Sequence, residues 1–451
     1  MKIKFPEIVT KVLKILEEGG FESYIVGGAV RDLLSKKAVK DWDFTTKAKP
    51  EEITKLFKDS FYDNVFGTVG VAEKHLGGKG DGVIEITTFR TESSYSDNRR
   101  PDKVEWGKNL AEDLTRRDFT INAMAIEIKK DNEIKIIDPF KGQDDLDSKL
   151  IRAVGKPDQR FKEDALRMMR AIRIASQLGF SIETKTLEAI VDNAELIKKI
   201  AMERVRDEFL KIISAEYSKD GVTLLFTSGL LNHILPELIQ TRGVDQAGHH
   251  TKDVWNHSLD AMANSPSKDP IIRMATLLHD VGKPRSKMDR GVGKEITFYN
   301  HEVIGARMVK EIARRLKMSK REIDLLWLLV RWHMFAYEPK MTDKAIRRFI
   351  KRVGIENIEK MIELRIGDRI GGGSKATSWR LEELQQRVKE VLVTPMQIKD
   401  LKVSGHDVMK LKKVKGGPVV GKILNTLFDE VMEDSKKNDR EYLLKRIKEI
   451  R

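Results

Sequence analysis

The sequence predicts an α/β head followed by an all-helical remainder, and three observations carry that prediction. Short β-branched and aromatic runs alternate with helical periodicity only up to about Val154. From about Asp158 the apolar spacing is almost wholly helical, with no proline before Pro236. At 451 residues the chain is also too long for one ordinary core. The expected divisions are a mixed-sheet head over 1–154, a helical neck over 155–240, a second helical domain over 241–375 and a helical tail over 376–451.

Taken in order, the first helix is expected over residues 7–20, carried by Ile8, Val12, Ile15 and Leu16 and stopped at Gly19-Gly20. Strands are expected at Tyr24–Val26, Trp42–Thr45, Thr68–Ala72, Val83–Phe89, Ala123–Ile128 and Ile134–Ile137. A helical pattern from about Pro50 to Lys58 separates the second from the third. Arg90 to Leu110 is polar and is expected to be a mobile loop. A long helical stretch from about His249 breaks at Gly371-Gly372-Gly373-Ser374, and further helices are expected near Ser378–Val391 and Val419–Met432.

Composition narrows the function. Hydrophobic residues at 40% against 34% charged describe a soluble, mostly helical protein. The absence of cysteine excludes disulfides and thiolate metal sites and is compatible with a cytoplasmic location, the expected one. No signal-peptide core and no membrane-spanning apolar run is present, so no membrane partner is expected. A net charge of +14 favours a polyanionic partner, although a lysine-rich genome would give the same sign.

Chemistry-bearing residues begin at Tyr24-Ile25-Val26-Gly27-Gly28-Ala29-Val30-Arg31-Asp32, which reads as strand, glycine turn and helix. Glycines allow close backbone approach, and the free N–H groups of the next helix suit an anion. Asp41 and Asp43 follow in Lys40-Asp41-Trp42-Asp43-Phe44. Side chains two apart on a strand share a face, so both carboxylates can grip the same hard cations while Trp42 faces behind the sheet. A solvated acid pair beside a glycine turn is the rival reading. Glu85, alternating with apolar residues in Val83–Phe89, is either a third carboxylate acting as a base or a sheet-edge glutamate facing water.

In Thr115-Arg116-Arg117-Asp118-Phe119-Thr120-Ile121-Asn122, arginine forks suit triphosphate oxygens, whereas a carboxylate and an amide suit ribose hydroxyls. In Phe161–Arg173, Asp164 and Arg167 are expected as i,i+3 neighbours on one helix, with Arg170 a turn later. An acceptor beside a planar donor can read a base edge; a surface ion pair is the alternative.

Together these segments resemble the class II tRNA nucleotidyltransferases, the CCA-adding enzymes that share a head domain with bacterial poly(A) polymerases. Asp138-Pro139-Phe140 with Gly142 resembles the head–neck link, and Met202–Glu208 resembles the last family motif, which braces the nucleotide-reading helix. The resemblance covers roughly residues 20–215 and implies a polymerase-β-like nucleotidyltransferase head. It implies that Gly28 and Arg31 hold the triphosphate, Asp41 and Asp43 bind Mg²⁺, and Arg117, Asp118 and Asn122 contact phosphates and ribose. Asp164 and Arg167 would pair with the incoming C or A, with Arg170 and Arg173 near the phosphates. In the family the polar loop, here with Tyr95, Asp97 and Arg99-Arg100-Pro101, switches addition to adenosine.

A second constellation comprises His257, His279-Asp280, His301, His333 and Asp368. Imidazoles and carboxylates projecting from several helices make a di-metal site, and an adjacent His-Asp pair is costly to bury without one. The order resembles the two-metal form of the HD phosphohydrolase domain. It implies phosphatase or 2′,3′-cyclic phosphodiesterase activity with Mg²⁺ or a divalent transition metal. Leu401–Met409 and Gly416–Gly421 resemble the tail of HD-bearing CCA enzymes, and His406 is expected at the surface or in a turn.

The expected protein is therefore a template-independent enzyme that adds C, C and A to tRNA from CTP and ATP by two-metal phosphoryl transfer, with a second, HD-type phosphatase or phosphodiesterase activity behind it. An A-adding enzyme or a poly(A) polymerase shares these motifs, and an RNA-binding HD phosphohydrolase is the reading from another class.

Overall fold

The computed structural model describes residues 5–62, 67–78, 82–93, 103–107, 109–129, 133–246, 252–288, 296–335, 337–392 and 398–450. The chain divides into two compact units, Met1–Ile239 with Arg315–Met318, and Gln240–Arg314 with Ser319–Arg451.

The first unit opens on the Glu7–Glu18 helix, whose Val9, Val12 and Leu16 are buried and which ends at Gly19. Among the described residues, strands of the head then follow: β1 (Ser23–Val26), β2 (Asp43–Thr46), β3 (Ser60–Tyr62), β4 (Thr68–Ala72), β5 (Val83–Thr88), β6 (Arg90–Ser93), β7 (Lys103–Trp106), β8 (Ala125–Ile128) and β9 (Ile134–Ile137). Among the described residues seven form one mixed sheet in the order β3-β4-β5-β2-β1-β8-β9. β2 runs antiparallel to β1 and parallel to β5, so the centre of the sheet joins both kinds of ladder. Phe44, Ile25, Ile86 and Ile126 are buried there.

Two elements differ from the sequence expectation. β3 was not expected; it is a three-residue edge strand whose Phe61 and Tyr62 are exposed, too short and too polar in setting to show alternation. Part of the expected Arg90–Leu110 loop is a two-stranded ribbon, with Arg90 opposite Trp106 and Ser93 opposite Lys103. A two-stranded ribbon is held by backbone bonds, so its side chains need no hydrophobic pattern. Tyr95, Asp97, Arg99, Arg100 and Pro101 lie outside the described residues.

The rest of the first unit is almost entirely helical. Its Leu166–Leu178 helix buries Leu166, Met168, Met169, Ile172 and Ile174, and Met202–Ile213 buries Val205, Phe209, Ile212 and Ile213. Helices of the second unit start where their caps are written: Asp253, Ser319 and Thr342 each accept a backbone N–H three residues on, and Asp269 precedes Pro270. Near its end, Val408, Leu427, Val431, Leu443 and Ile447 form a separate apolar cluster. No described helix is long and apolar enough to cross a membrane.

Candidate active sites

The first site is a cleft of about 520 Å³ in the first unit. Gly27 ends β1 and turns the chain at φ 73°, a conformation that glycine adopts freely. A Cβ there would stand 3.1 Å from Asp43 Oδ2 and 3.2 Å from Arg117 Nη1, so bare backbone lets an acid and an arginine close on the turn. Ladder register places Asp43 opposite Val26 on one side and opposite Glu85 on the other. Facing residues of adjacent strands point the same way, so Asp43 and Glu85 are side by side, and both line the cleft.

Asp41 departs from expectation. It is exposed and lies two residues before β2 begins, so it shares no strand face with Asp43. It is close enough to act on Asp43 by charge. Burial pushes the Asp43 carboxyl up to about 6; Arg117 opposes this, and the charges of Glu85 and Asp41 reinforce it. Three carboxylates repelling one another around a buried member make a site that a divalent cation would relieve.

Facing them is a chain of polar contacts. Arg31 Nη1 donates to Asn122 Oδ1 (2.9 Å), Asn122 Nδ2 to Asp118 Oδ1 (3.3 Å), and Arg170 Nε to Asp118 Oδ2 (2.8 Å). Arg117, Asp118, Asn122 and Arg170 line the cleft together with Gly28. Two expected phosphate-binding residues do not line it. Arg31 is held by Asp32 and Asn122, and Arg173 Nε pairs with Glu208 Oε2 at 2.7 Å. That last pair ties the Leu166–Leu178 helix to Met202–Ile213.

Burial alone would raise the Asp118 carboxyl, yet Arg170 and then Arg167 bring it down to about 2. A folded value below the ordinary 3.8 means that its stabilising share is complete above that value and is lost as pH falls through about 2. Asp118→Asn should therefore cost about 2 kcal/mol at neutral pH, and the cost should shrink between about pH 4 and pH 2. Urea midpoints of the two proteins across that range are the check; a constant difference would contradict it.

The expected base reader is built differently from the i,i+3 pair. The helix stops at Glu163, Asp164 is extended (φ −139°, ψ 104°), and the next helix starts at Leu166. Asp164 breaks the helix by accepting the Leu166 N–H at 3.0 Å, a competition with helical bonding that short acids win at helix starts. Its other oxygen pairs with Arg204 Nη2 at 3.3 Å. Arg167 Nη1 instead donates to Glu163 Oε2 at 2.6 Å, and its Nη2 to the Arg116 carbonyl at 3.2 Å. Asp164 and Arg167 still both line the cleft.

Sequence reasoning placed Gly27 in the glycine turn and Arg204 in the bracing motif without giving either an individual site role, and it missed Glu163 and Asp113. Asp113 is fully buried; its Oδ1 accepts from Arg116 Nη2 at 2.7 Å and its Oδ2 from Arg117 Nη2 at 3.1 Å. Its spacing of three and four before the arginines on a short helix was a readable signal.

The second site lies in the second unit. His279 Nε2 stands 3.1 Å from His257 Nε2, and His301 Nε2 stands 3.3 Å from His333 Nε2. Asp280 lies between the pairs: Oδ2 is 3.2 Å from His279 and 3.6 Å from His257, while Oδ1 is 3.4 Å from His301 and 3.7 Å from His333. Asp368 Oδ1 completes the first group, 3.1 Å from His257. All six residues expected as ligands thus converge, in two clusters that share Asp280.

The ring protons are settled by the carbonyls behind them. Nδ1 of His279, His301 and His333 lies 2.7–2.8 Å from the carbonyls of Thr276, Phe298 and Val330. A carbonyl only accepts, so each Nδ1 carries a proton, and in the neutral ring Nε2 then turns its lone pair inward. Lone pairs facing at such distances repel unless a cation or proton sits among them, which fits a di-metal centre. Burial would lower His279, but Asp280 and Asp368 hold it up at about 10; Asp280 and Asp368 themselves sit well below the carboxylate range despite burial.

Glycines make the convergence possible. A Cβ on Gly282 would lie 2.1 Å from the His301 carbonyl oxygen. Cβ atoms on Gly367 and Gly371 would lie 2.7 Å from the Ala261 oxygen and 2.8 Å from that of His257. The Ile358–Gly371 helix therefore presses on Val254–Ala263 closely enough for Asp368 to reach His257.

Residues 23–152 match the family model "Poly A polymerase head domain", 179–241 "Probable RNA and SrmB- binding site of polymerase A", and 301–447 "tRNA nucleotidyltransferase domain 2 putative". The CCA-adding enzyme of Lactobacillus helveticus is 50% identical over 231 residues, half of this chain and 55% of that one, so the match spans little more than half of that relative. The CCA-adding enzyme of Ligilactobacillus salivarius is 33% identical over 449 residues, 99% of this chain and 97% of that one. A crystal structure of the Bacillus stearothermophilus CCA-adding enzyme in complex with CTP matches with a TM-score of 0.73 at 26% identity, over 99% of this chain and 98% of that one.

Proposed function

The chain belongs to the family of class II CCA-adding enzymes and poly(A) polymerases, and on that premise we propose that it builds or repairs tRNA 3′ ends with C, C and A from CTP and ATP. The observation that carries the reading is the register match of Asp43 with Glu85, two acids on neighbouring strands across from Arg117, Asp118 and Arg170. Asp43, with Asp41 and Glu85 close by, would hold Mg²⁺. The metal supplies charge neutralisation at the phosphates. Arg117 and Arg170 would orient the triphosphate, with Asp113 and Asp118 fixing the arginines in place. Asp118 and Asn122 would receive the ribose, and Glu85 would take the proton of the attacking 3′ hydroxyl.

Base choice is assigned to Asp164 and Arg167. Glu163 and the Arg116 carbonyl hold the Arg167 fork at two edges, so its plane is set before a nucleotide arrives. A base that leaves this pair unmatched strands buried polar groups, which discriminates strongly. Arg167→Ala should therefore raise misincorporation of G and U by roughly 10²-fold relative to C and A. Single-nucleotide incorporation assays read this, and unchanged selectivity would remove the assignment.

For the second unit the reading is an HD-type metallophosphohydrolase acting on RNA-end phosphates. His257, His279 and Asp280, joined by Asp368, would hold one divalent ion, and Asp280, His301 and His333 the other. The division of labour is then head and neck for nucleotide addition, the middle helical domain for hydrolysis and the tail for tRNA contact.

Transcripts ending before, within and after the CCA, each offered one nucleoside triphosphate at a time, test the main reading. C should enter only the ends lacking it, and a single A only the ends in CC. Addition of A alone would identify an A-adding enzyme, and long A tracts a poly(A) polymerase.

A further inference from the structure

Two hollows lie in the second unit near the histidine cluster. One, of about 180 Å³, is lined by Phe335, Tyr337, Phe349, Arg365, Arg369 and Arg380, with no acid among its lining residues. The other, of about 270 Å³, is bounded by Arg331, Trp332, Phe335, Phe349 and Arg352, and by Glu302, which pairs with Arg331 at 3.5 Å and leaves Arg352 as its unopposed cation among the lining residues. Their shared wall is the stacked pair Phe335 and Phe349, with ring centroids 3.8 Å apart and planes 20° from parallel.

Both hollows are tied to metal-ligand positions. Arg365 Nη1 donates to Asp368 Oδ2 at 2.7 Å, so the wall of the first is the direct partner of a candidate ligand. Trp332 and Met334, which flank His333 in sequence, both line the second. Asp368 is also the most accessible of the six, its side chain 18% exposed against 7% or less for the others. The cluster is therefore approached from the side on which Asp368 and Arg365 stand.

The lining has a definite chemistry. Aromatic faces stack nucleobases of any sequence, and arginines neutralise the phosphates between them. Arginine also pairs with aromatic rings here: Arg331 and Arg352 lie 4.3 and 5.1 Å from the Trp332 ring, and the exposed Arg380 lies 5.2 Å from that of Trp379. The first hollow is smaller than the roughly 300–1,000 Å³ typical of a whole small-molecule site. It suits one ring system whose remainder extends outside.

We propose that these hollows bind the single-stranded 3′ end of an RNA, with the last base in the Arg365–Arg369–Arg380 hollow and its phosphate turned toward Asp368. The proposal rests on the phosphohydrolase reading of the cluster and adds its substrate-binding surface.

The test uses the full chain in EDTA with a short oligoribonucleotide carrying a 3′-terminal 4-thiouridine and a 2′,3′-cyclic phosphate. Irradiation should crosslink the terminal base to peptides containing Phe335, Tyr337 or Phe349. Yield at a fixed subsaturating concentration should fall roughly tenfold in Phe335→Leu and also drop in Arg380→Glu, an exposed position whose change leaves the core packed. Crosslinks confined to residues 1–239, or wild-type yield in both variants, would overturn the proposal. Hydrolysis is scored separately by adding Mn²⁺ to the wild type. An intact cyclic phosphate there would remove the hydrolase reading, while the crosslink map alone still decides whether the RNA end binds.

Discussion

Asp43→Ala should lower nucleotide addition by at least about 10³-fold, the scale on which loss of a preorganised charge-stabilising group acts. Asp43 is the acid that lies in register with Glu85 and against the Gly27 turn, so its loss removes the inner carboxylate rather than a peripheral one. The protein should remain folded, because burial already disfavours the charged form of this side chain. Primer-extension rates on tRNA ending in CC are the measurement. Asp41→Ala should be the milder of the two, since Asp41 stands exposed ahead of the strand. Equal losses would show that both acids ligate the metal equally.

Asp280→Ala should have the second large effect, and in a different assay. Asp280 faces His257, His279, His301 and His333 and accepts from Lys283 Nζ at 2.6 Å. Removing it leaves buried positive charge without its partner, at a cost of about 3–5 kcal/mol. Bound divalent metal, counted by elemental analysis, should drop below one per chain, and phosphodiester hydrolysis should vanish. Nucleotide addition should survive wherever the chain stays folded. Asp280→Asn, which keeps the volume, separates the charge from the packing. Full metal content in Asp280→Asn would refute a bridging role for this carboxylate.

How much of this was legible depended on distance along the chain. The strand runs were readable because alternation and β-branched residues are local, and the six-residue histidine–aspartate set was readable because its residue types are rare in apolar helices. Asp41 was misplaced because β2 is shorter than its sequence pattern suggests. The β1 ladder ends at Val26 opposite Asp43, and the Gly27 turn removes the β1 partner for residue 41. Asp164 was misplaced because helical periodicity runs through Phe161–Arg173, whereas the break comes from one side-chain bond to the Leu166 N–H. Gly27 and Gly28 are indistinguishable in sequence; only the backbone angle selects the first. Gly282, Gly367 and Gly371 matter through what packs on them, which no local pattern reports.

The histidine–aspartate centre is assembled at helix ends. His279 and His333 follow the last residues of their helices, His301 starts one, and Asp368 lies in the closing turn of another. No short stretch of chain therefore contains a competent binding set. On the proposed reading, the ion held by His257, His279, Asp280 and Asp368 would gain its full set of ligands only after the Asp368 segment has left the ribosome, so that half of the centre would mature after the half built on Asp280, His301 and His333.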